Sequence, residues 1–489
     1  MKKLSITLFA VLVCLFGEAQ HDAQWLVGCG PTTIMNFLSD SLILDSLQGY
    51  TPTFLTVANI CDEEGSLLFY TNGICIEDMS GDTLENGTGI NPGQYTDSWK
   101  NNGLNIPQAA LFIPKPGNTN YYYLFHFSND TLGNARPGHI YYSLINKQGN
   151  GGRGAVESKN RAIIDNVVLR GGGMTGCKHA NGRDYWLIMG ASDTNKFYKF
   201  LITPDSILGP FIQFIGPNFL LPYDVAYSKF SKDGTKYATA IYGGSPILVL
   251  DFDRCTGEFS NPVTIYHSAT NDPVNHPNSG AESIEFSANG DLLYAANSND
   301  LTQYNLLSSN IQDSVEIYFA TDSDNARIGF LQLAGNGKIY CSTWNGGYYF
   351  VHKINYPERV GINCDFIRAG QPTLSLNSFN LPNMINYDLG SLIGSSCDTI
   401  NTIITPNAIA NSLRVIPNPA DKYAYVEIGA QGNYTFQLIN ETGQLIDKKE
   451  TRQVDVFNTE VLSAGVYFIQ VLDRNTNTEV ANRKIVIQH

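Results

Sequence analysis

Residues 283–294 read SIEFSANGDLLY. Apolar and polar positions alternate through Ile284, Glu285 and Phe286, Asn289-Gly290 turns the chain, and Leu292, Leu293 and Tyr294 resume an apolar run. Asn-Gly between two such runs is the strongest short hairpin signal, because both turn residues tolerate positive φ. The layout recurs at residues 225–237 (VAYSKFSKDGTKY), 330–340 (FLQLAGNGKIY) and 56–70 (TVANICDEEGSLLFY). Looser copies are residues 109–117 before 121–124, and 177–182 before 185–188.

The turn glycines fall at positions 65, 117, 182, 234, 290 and 337, so the spacings are 52, 65, 52, 56 and 47. That period fits a four-stranded blade with its loops and predicts an all-β propeller. Further strands follow the hairpins, as at residues 247–252 and 348–354. Six hairpins are visible. A seventh blade can be assembled from both ends, with residues 380–386 as its innermost strand and residues 25–27 and 32–37 as outer ones. Closing the ring in this way removes exposed edge strands. The expected fold is therefore a seven-bladed propeller, with six or eight blades as alternatives, over residues 21–390.

Composition agrees with this reading. The 489 residues are 43% hydrophobic and only 16% charged, with 45 Gly, 27 Tyr and 25 Phe. Aromatic residues suit pleated surfaces and glycines suit tight turns. A net charge of −14 disfavours nucleic acid as a partner, since an acidic surface repels phosphate.

Lys2 and Lys3, an apolar run over residues 4–16, and small Gly17 and Ala19 before a cut after Ala19 make residues 1–20 a signal peptide. Cys14 follows bulky Val13, which is wrong for a lipobox. No later run reaches the ~20 apolar residues of a transmembrane helix. Outside that leader lie Cys29, Cys61, Cys75, Cys177, Cys255, Cys341, Cys364 and Cys397. Disulfides are permitted in an exported chain, but spacing cannot choose their pairing, and no C-x-x-C pair suggests zinc.

Residues 67–73 (LLFYTNG), 113–117 (IPKPG), 179–186 (HANGRDYW) and 381–385 (LPNMI) resemble recurrent phrases of a WD40-like propeller family. That family stands at the front of many type IX-secreted and gliding-associated surface proteins. The resemblance spans about residues 24 to 390 and implies a fold, with no activity to carry over.

Residues 391–411 are rich in Ser, Thr and Asn and read as a linker. Beyond them stand residues 415–420 (VIPNPA), 437–446 (QLINETGQLI), 462–469 (LSAGVYFI) and 484–487 (KIVI). These blocks resemble, in order, the type A sorting domain of the type IX secretion system, which implies the secretion machinery as a partner over residues 412–489. Short alternating strands in this region fit a small Ig-like β-sandwich. Pro417, Asn418, Pro419, Gly443, Gly465, Tyr467 and Lys484 carry the motif.

Candidate chemistry is sparse. His179 lies with Lys178, Arg183 and Asp184 around a hairpin turn, where polar groups commonly bond to backbone. Asp251 and Asp253, and Asp322 to Asn325, space carboxylates for calcium but lack the glycine and distal Glu of an EF-hand loop. There is no H-E-x-x-H, G-x-S-x-G or phosphate loop, and no cofactor is implied. Paired carboxylates drawn from distant blades would leave no linear motif. Segments entering innermost strands bring Tyr223, Asp224, His276, Glu282 and Arg327 toward one rim, a candidate site for a polar ligand; these residues can equally cap strand ends. Asp followed by Ser or Thr and an aliphatic residue places Ser41, Ser46, Thr83, Thr131, Ser206, Ser314 and Thr399 in triplets. The triplet resembles the O-glycosylation site of many bacteria with this secretion route; as a plain turn before a strand it needs no modification.

Two function classes follow. One is a secreted or cell-surface binding or adhesion module for a glycan or protein; the other is a secreted hydrolase or lyase on the same scaffold. Deleting residues 412–489 is expected to hold the propeller in the periplasm. Cell fractionation and surface labelling check this, and undiminished surface display would refute the sorting reading.

Overall fold

The hairpins are present, and their glycines hold them. Gly234 and Gly290 turn the chain at φ of 72° and 75°, where a Cβ would be strained. The computed structural model describes residues 20–28, 30–38, 42–129, 136–218, 225–242, 246–267, 280–319, 326–344, 347–379, 381–398, 413–428, 433–440, 443–451, 454–474 and 478–489. Nearly all of the signal peptide, together with Cys14 and Cys29, lies outside the described residues. The chain divides into two compact units, Met1–Ile400 and Asn401–His489.

The first unit is a seven-bladed β-propeller. Blade 1 has three strands, Gln24–Val27, Gly30–Asn36 and Ile43–Thr51. Blades 2 to 7 have four antiparallel strands each and begin at the innermost strands Ala58–Cys61, Ala110–Pro114, Thr175–Lys178, Ala226–Phe230, Ser283–Phe286 and Ile328–Leu333. The outermost strands of blades 2 and 3 also pair in parallel, Glu85 opposite Ala155, so these two blades share one sheet. We call the face where innermost strands begin the upper face, and the face carrying their first turns the lower face.

The N-terminus closes the ring. Asn59 of blade 2 accepts the Leu26 N–H at 3.1 Å and donates to the Gln24 carbonyl at 2.8 Å. On the other side, Ser375 of blade 7 accepts the Thr33 N–H at 3.1 Å and donates to the Val27 carbonyl at 3.2 Å. Trp25, 1% exposed, fills the seam and meets Tyr340 edge-on.

The C-terminal end differs from the sequence expectation. Residues 381–391 lie on the axis, but they join no ladder as an innermost strand. Pro382 has no N–H to give, and the Asn383 N–H goes to the Val57 carbonyl of blade 2 at 2.8 Å. The Asn383 side chain donates to Ala110 of blade 3 at 2.9 Å and Met174 of blade 4 at 3.0 Å. Lower down, the Tyr387 hydroxyl donates to the Phe112 carbonyl at 2.8 Å, and Lys178 Nζ donates to the Tyr387 carbonyl at 2.8 Å. The segment thus descends the channel as a plug.

On the lower face Arg254 donates to the Gly390 carbonyl at 2.6 Å, and Ser391 bridges to Asn181. A Cβ at Gly182 would stand 2.6 Å from the Ser391 nitrogen, so this turn must be glycine. Residues 391–398, read from sequence as the start of a linker, are bound here, and a Cys255–Cys397 disulfide fastens them. Cys61, Cys75, Cys177, Cys341 and Cys364 are free thiols.

The second unit is a small β-sandwich. Arg414–Ile416, Tyr423–Glu427 and Val454–Asn458 form one sheet; Leu445–Thr451, Tyr434–Asn440, Gly465–Asp473 and Thr478–Ile487 form the other. Val426, Phe436, Leu438, Phe457, Ile469 and Ile485 are fully buried between them.

Tyr387 is fully buried, so Tyr387→Ala is expected to cost the propeller about 3–5 kcal/mol, as for other large aromatics truncated in cores. Tyr387→Phe removes only the donor to Phe112 and is expected to cost about 0.5–1.5 kcal/mol. Equilibrium denaturation of the full chain measures both; a neutral Tyr387→Ala would mean that the ring stands without its plug.

Candidate functional site

The plug leans. Its upper bonds go to blades 2, 3 and 4; Asn386 reaches blade 5 by donating to the Lys232 carbonyl at 2.6 Å, and at the lower end Gly390 accepts from Arg254 of the same blade. On the side of blades 5 to 7 it leaves a cavity of about 220 Å³. The walls are Lys229 to Lys232 of blade 5, Glu285 of blade 6, Gln332 to Gly335 of blade 7, Thr175 to Cys177 of blade 4, Asp22, and the plug residues Met384 to Asn386, Asp388 and Leu389. Turn residues Ser231, Lys232, Ala334 and Gly335 set its mouth on the lower face.

The polar lining has a simple sequence origin. Five residues before the turn glycine stand Ile60, Phe112 and Cys177 in blades 2 to 4, and Lys229, Glu285 and Gln332 in blades 5 to 7. The apolar half of the ring is the half the plug leans toward. The polar half forms a belt across three blades. Lys229 Nζ donates to Gln332 Oε1 and lies 3.4 Å from Glu285 Oε2, with both side chains about 5% exposed or less. Glu285 also accepts the Phe286 and Leu333 N–H groups, each at 3.0 Å. Burial pulls the Lys229 ammonium down and pushes the Glu285 carboxyl up, and the pairing opposes both shifts.

Asp22 completes the site. It is partly buried, and burial first, then the charge of Asp388, raises its carboxyl from the ordinary range to about 7; Lys232 pulls the other way. The pocket therefore holds Asp22 together with two further carboxylates, Asp388 and Glu285, and two ammonium groups, Lys229 and Lys232.

The residues singled out by sequence lie elsewhere. Glu282 and Arg327 stand on the upper face, where the innermost strands of adjacent blades 6 and 7 begin. Burial first and Asp300 second push the Glu282 carboxyl up to about 8. Arg327 donates to Asn299 at 2.5 Å. Tyr223, Asp224, His276 and the carboxylates at 322–324 lie outside the described residues. His179 is held by its turn: Nδ1 accepts the Asn181 N–H at 3.0 Å, Nε2 meets the Cys255 carbonyl at 3.0 Å, and Arg183 pairs with Asp184. Asp251 pairs with Lys236, and Asp253 caps the turn at Cys255. Among the described residues no three His, Cys, Asp or Glu side chains converge as a metal cage.

Ser46, Thr83 and Ser314 are exposed in or at the start of outermost strands, and Ser206, partly buried, precedes another. Ser41, Thr131 and Thr399 lie outside the described residues. In the sandwich, Asn418 explains its motif. Its side chain donates to the Lys484 carbonyl at 3.0 Å and accepts the Val486 N–H at 2.9 Å, clamping the last strand between two exposed prolines, Pro417 and Pro419. Gly443 turns at φ 83°, Gly465 opens a strand, the Tyr467 hydroxyl donates to the Ser463 carbonyl, and Lys484 is exposed.

Fold and pocket together define a seven-bladed propeller with an axial cavity, followed by a small β-sandwich. The sandwich is the part with a family: residues 414–488 match the secretion system C-terminal sorting domain. This tail is a type IX sorting domain, and it implies secretion or attachment at the cell surface. No curated protein matches the chain. Solved structures similar to it include a protein of unknown function from Desulfotomaculum acetoxidans, 12% identical, covering 73% of this chain and 99% of that one at a TM-score of 0.38. Others are the Dos1 propeller, at 11% identity, 74% and 86% coverage and a TM-score of 0.41, and the Cps50 (Swd1) propeller domain of Myceliophteria thermophila, at 11%, 74% and 92%, and 0.30. No helix among the described residues is long and apolar enough to cross a membrane.

Lys229→Met leaves Glu285 buried without its cation and is expected to cost about 3–5 kcal/mol. Adding Glu285→Gln removes the second charge and is expected to recover most of that loss. Denaturation of the single and double variants decides; losses that simply add would mean the belt is not coupled.

Proposed function

We propose that this chain is an exported β-propeller that binds a small polar ligand in the axial pocket of its lower face. The observation that carries the reading is the polar belt of Lys229, Glu285 and Gln332 beside a cavity of about 220 Å³. Buried charges are costly to maintain, and a set that lines an open cavity is placed to exchange hydrogen bonds with a ligand. Of the glycan and protein partners that the sequence leaves open, a cavity of this size takes one residue: a single sugar ring or a single amino acid.

A hydrolase is the second reading. Asp22, raised to about 7 beside Asp388, has the proton affinity of a general acid, and two carboxylates in one cleft are what glycoside or peptide hydrolysis uses.

Thermal melts and calorimetry of the full chain against single sugars and amino acids test the binding reading. A true ligand at 100-fold over its Kd stabilises by about 2.7 kcal/mol. A Cβ at Gly335 meets open space, so Gly335→Trp is expected to fold normally and to block the mouth. Unchanged binding in that variant would remove the pocket from the reading. Turnover of polysaccharide or peptide that is lost in Asp22→Asn would install the hydrolase instead.

A further inference from the structure

A second opening lies on the outside of the ring, between blades 3 and 4, with a volume of about 350 Å³. Small-molecule sites span about 300–1,000 Å³. Blade 3 lines the groove with Tyr123 of strand Tyr121–His126, Tyr142 of Ile140–Asn146 and Ala162 of Ala155–Ile164. Blade 4 lines it with Phe200 of Lys196–Ile202 and with Asp205 and Ser206 in the turn that follows. The outermost strand of blade 4, Ile207–Phe214, bulges here: Leu201 pairs with Leu208 but Lys199 with Phe211, so Gly209 and Pro210 stand out of register. A bulge bends its strand, and Gly209 joins the groove wall. Thr203 fixes the turn, its hydroxyl accepting the Ser206 N–H at 3.1 Å and donating to the Ser206 carbonyl at 3.0 Å.

Three polar groups are left open inside it. Tyr123 is only 7% exposed, yet among the described residues its hydroxyl has no hydrogen-bond partner, and neither has the Tyr142 hydroxyl. Buried phenols ordinarily find a partner. Both hydroxyls are open to the groove, whereas the oxygen of the adjacent Tyr122 is sealed in the core. Burial first, and Tyr142 second, raise the Tyr123 phenol above its ordinary range, so it stays a neutral donor. The Asp205 carboxylate likewise makes no hydrogen bond or ion pair among the described residues. Arg183, the cation that feels its charge, is paired with Asp184 at 2.7 Å.

These groups select the ligand. The wall contains no Lys, Arg or His, and Asp205 repels anions, which disfavours phosphate, sulfate and carboxylate groups. A methylated ammonium is disfavoured too, because a cage for it needs free ring faces. Tyr123 and Tyr142 meet edge to face, with centroids 5.5 Å apart, and both pack on Phe125. What remains is a neutral molecule with several hydroxyls, which two phenols and a carboxylate can hydrogen-bond beside the Phe200 ring. We propose that the groove between blades 3 and 4 is a second binding site, for a sugar of one or two linked rings, held by Tyr123, Tyr142 and Asp205. No residue lines both this groove and the axial pocket, so the two sites stand or fall separately.

Calorimetry of the full chain against glucose, galactose, mannose, cellobiose and lactose tests the groove, with tetramethylammonium as the cation probe. At least one sugar is expected to bind, and tetramethylammonium is not. Tyr123→Phe and Tyr142→Phe keep the rings and remove one hydroxyl each, so each is expected to weaken the sugar about three- to tenfold. Asp205→Asn keeps the shape and removes the charge, for an expected loss of about tenfold. Ala162 is exposed, so Ala162→Trp is expected to fold normally and to abolish binding. Thermal melts without sugar check the fold of every variant. Gly335→Trp, which blocks the axial mouth, is expected to leave this binding unchanged. Sugar binding that survives Ala162→Trp and both tyrosine variants overturns the proposal, and its loss in Gly335→Trp alone assigns that sugar to the axial pocket instead. Tetramethylammonium binding with silent sugars overturns it in favour of a cation site, and silence from the whole panel overturns it outright.

Discussion

A propeller leaves the inner edges of its first strands facing a channel, and their carbonyls need donors there. In this chain residues 381–391 supply them. Asn383 alone serves blades 3 and 4 with its amide and blade 2 with its backbone, and Tyr387 serves blade 3. One descending segment thereby ties neighbouring blades through the axis, where a ring of separate sheets has the least to hold it. The disulfide at Cys397 closes a loop of 142 residues back to blade 5, worth about 5 kcal/mol in the chain-entropy account. The channel is occupied by the protein's own chain, so a ligand can use only the space that segment leaves.

That space follows from a local asymmetry. The positions five before the turn glycines are apolar in blades 2 to 4 and polar in blades 5 to 7. An apolar segment carrying Leu381, Met384 and Ile385, each 6% exposed or less, buries best against the apolar half. The polar half keeps its hydrogen-bonding groups because Lys229, Glu285 and Gln332 satisfy one another across three blades. Moving the plug to the centre would bury that belt against apolar side chains, at the cost that unsatisfied charges incur.

The fold was legible because its signals are local. Each glycine turn, four of them Asn-Gly or Asp-Gly, states its own hairpin, and the six turns together state a period. The C-terminal sandwich was legible for the same reason, since Asn418 and Gly443 act within a few residues or on one neighbouring strand. The axial segment was placed correctly near the centre but read as a strand, because apolar spacing cannot say whether a backbone donates to a ladder or to three blades at once. The pocket was missed. Its groups come from four blades, the axial segment and the N-terminus, and the search for a site followed strand beginnings on the upper face. The one available signal was columnar: aligning the hairpins on their glycines stacks Lys229, Glu285 and Gln332 in register.

The plug and the pocket cannot be independent. Met384, Ile385, Asn386 and Asp388 belong to the plug and also line the cavity, so any ligand bound there touches the segment that ties the blades. A ligand that prefers the seated plug stabilises it, and by linkage a seated plug strengthens the ligand by the same free energy. The disulfide at Cys397 keeps the plug's lower end beside the pocket mouth, which reduces the entropy lost when a ligand arrives. Stability of the ring and affinity of the site are therefore two readouts of the same seated segment.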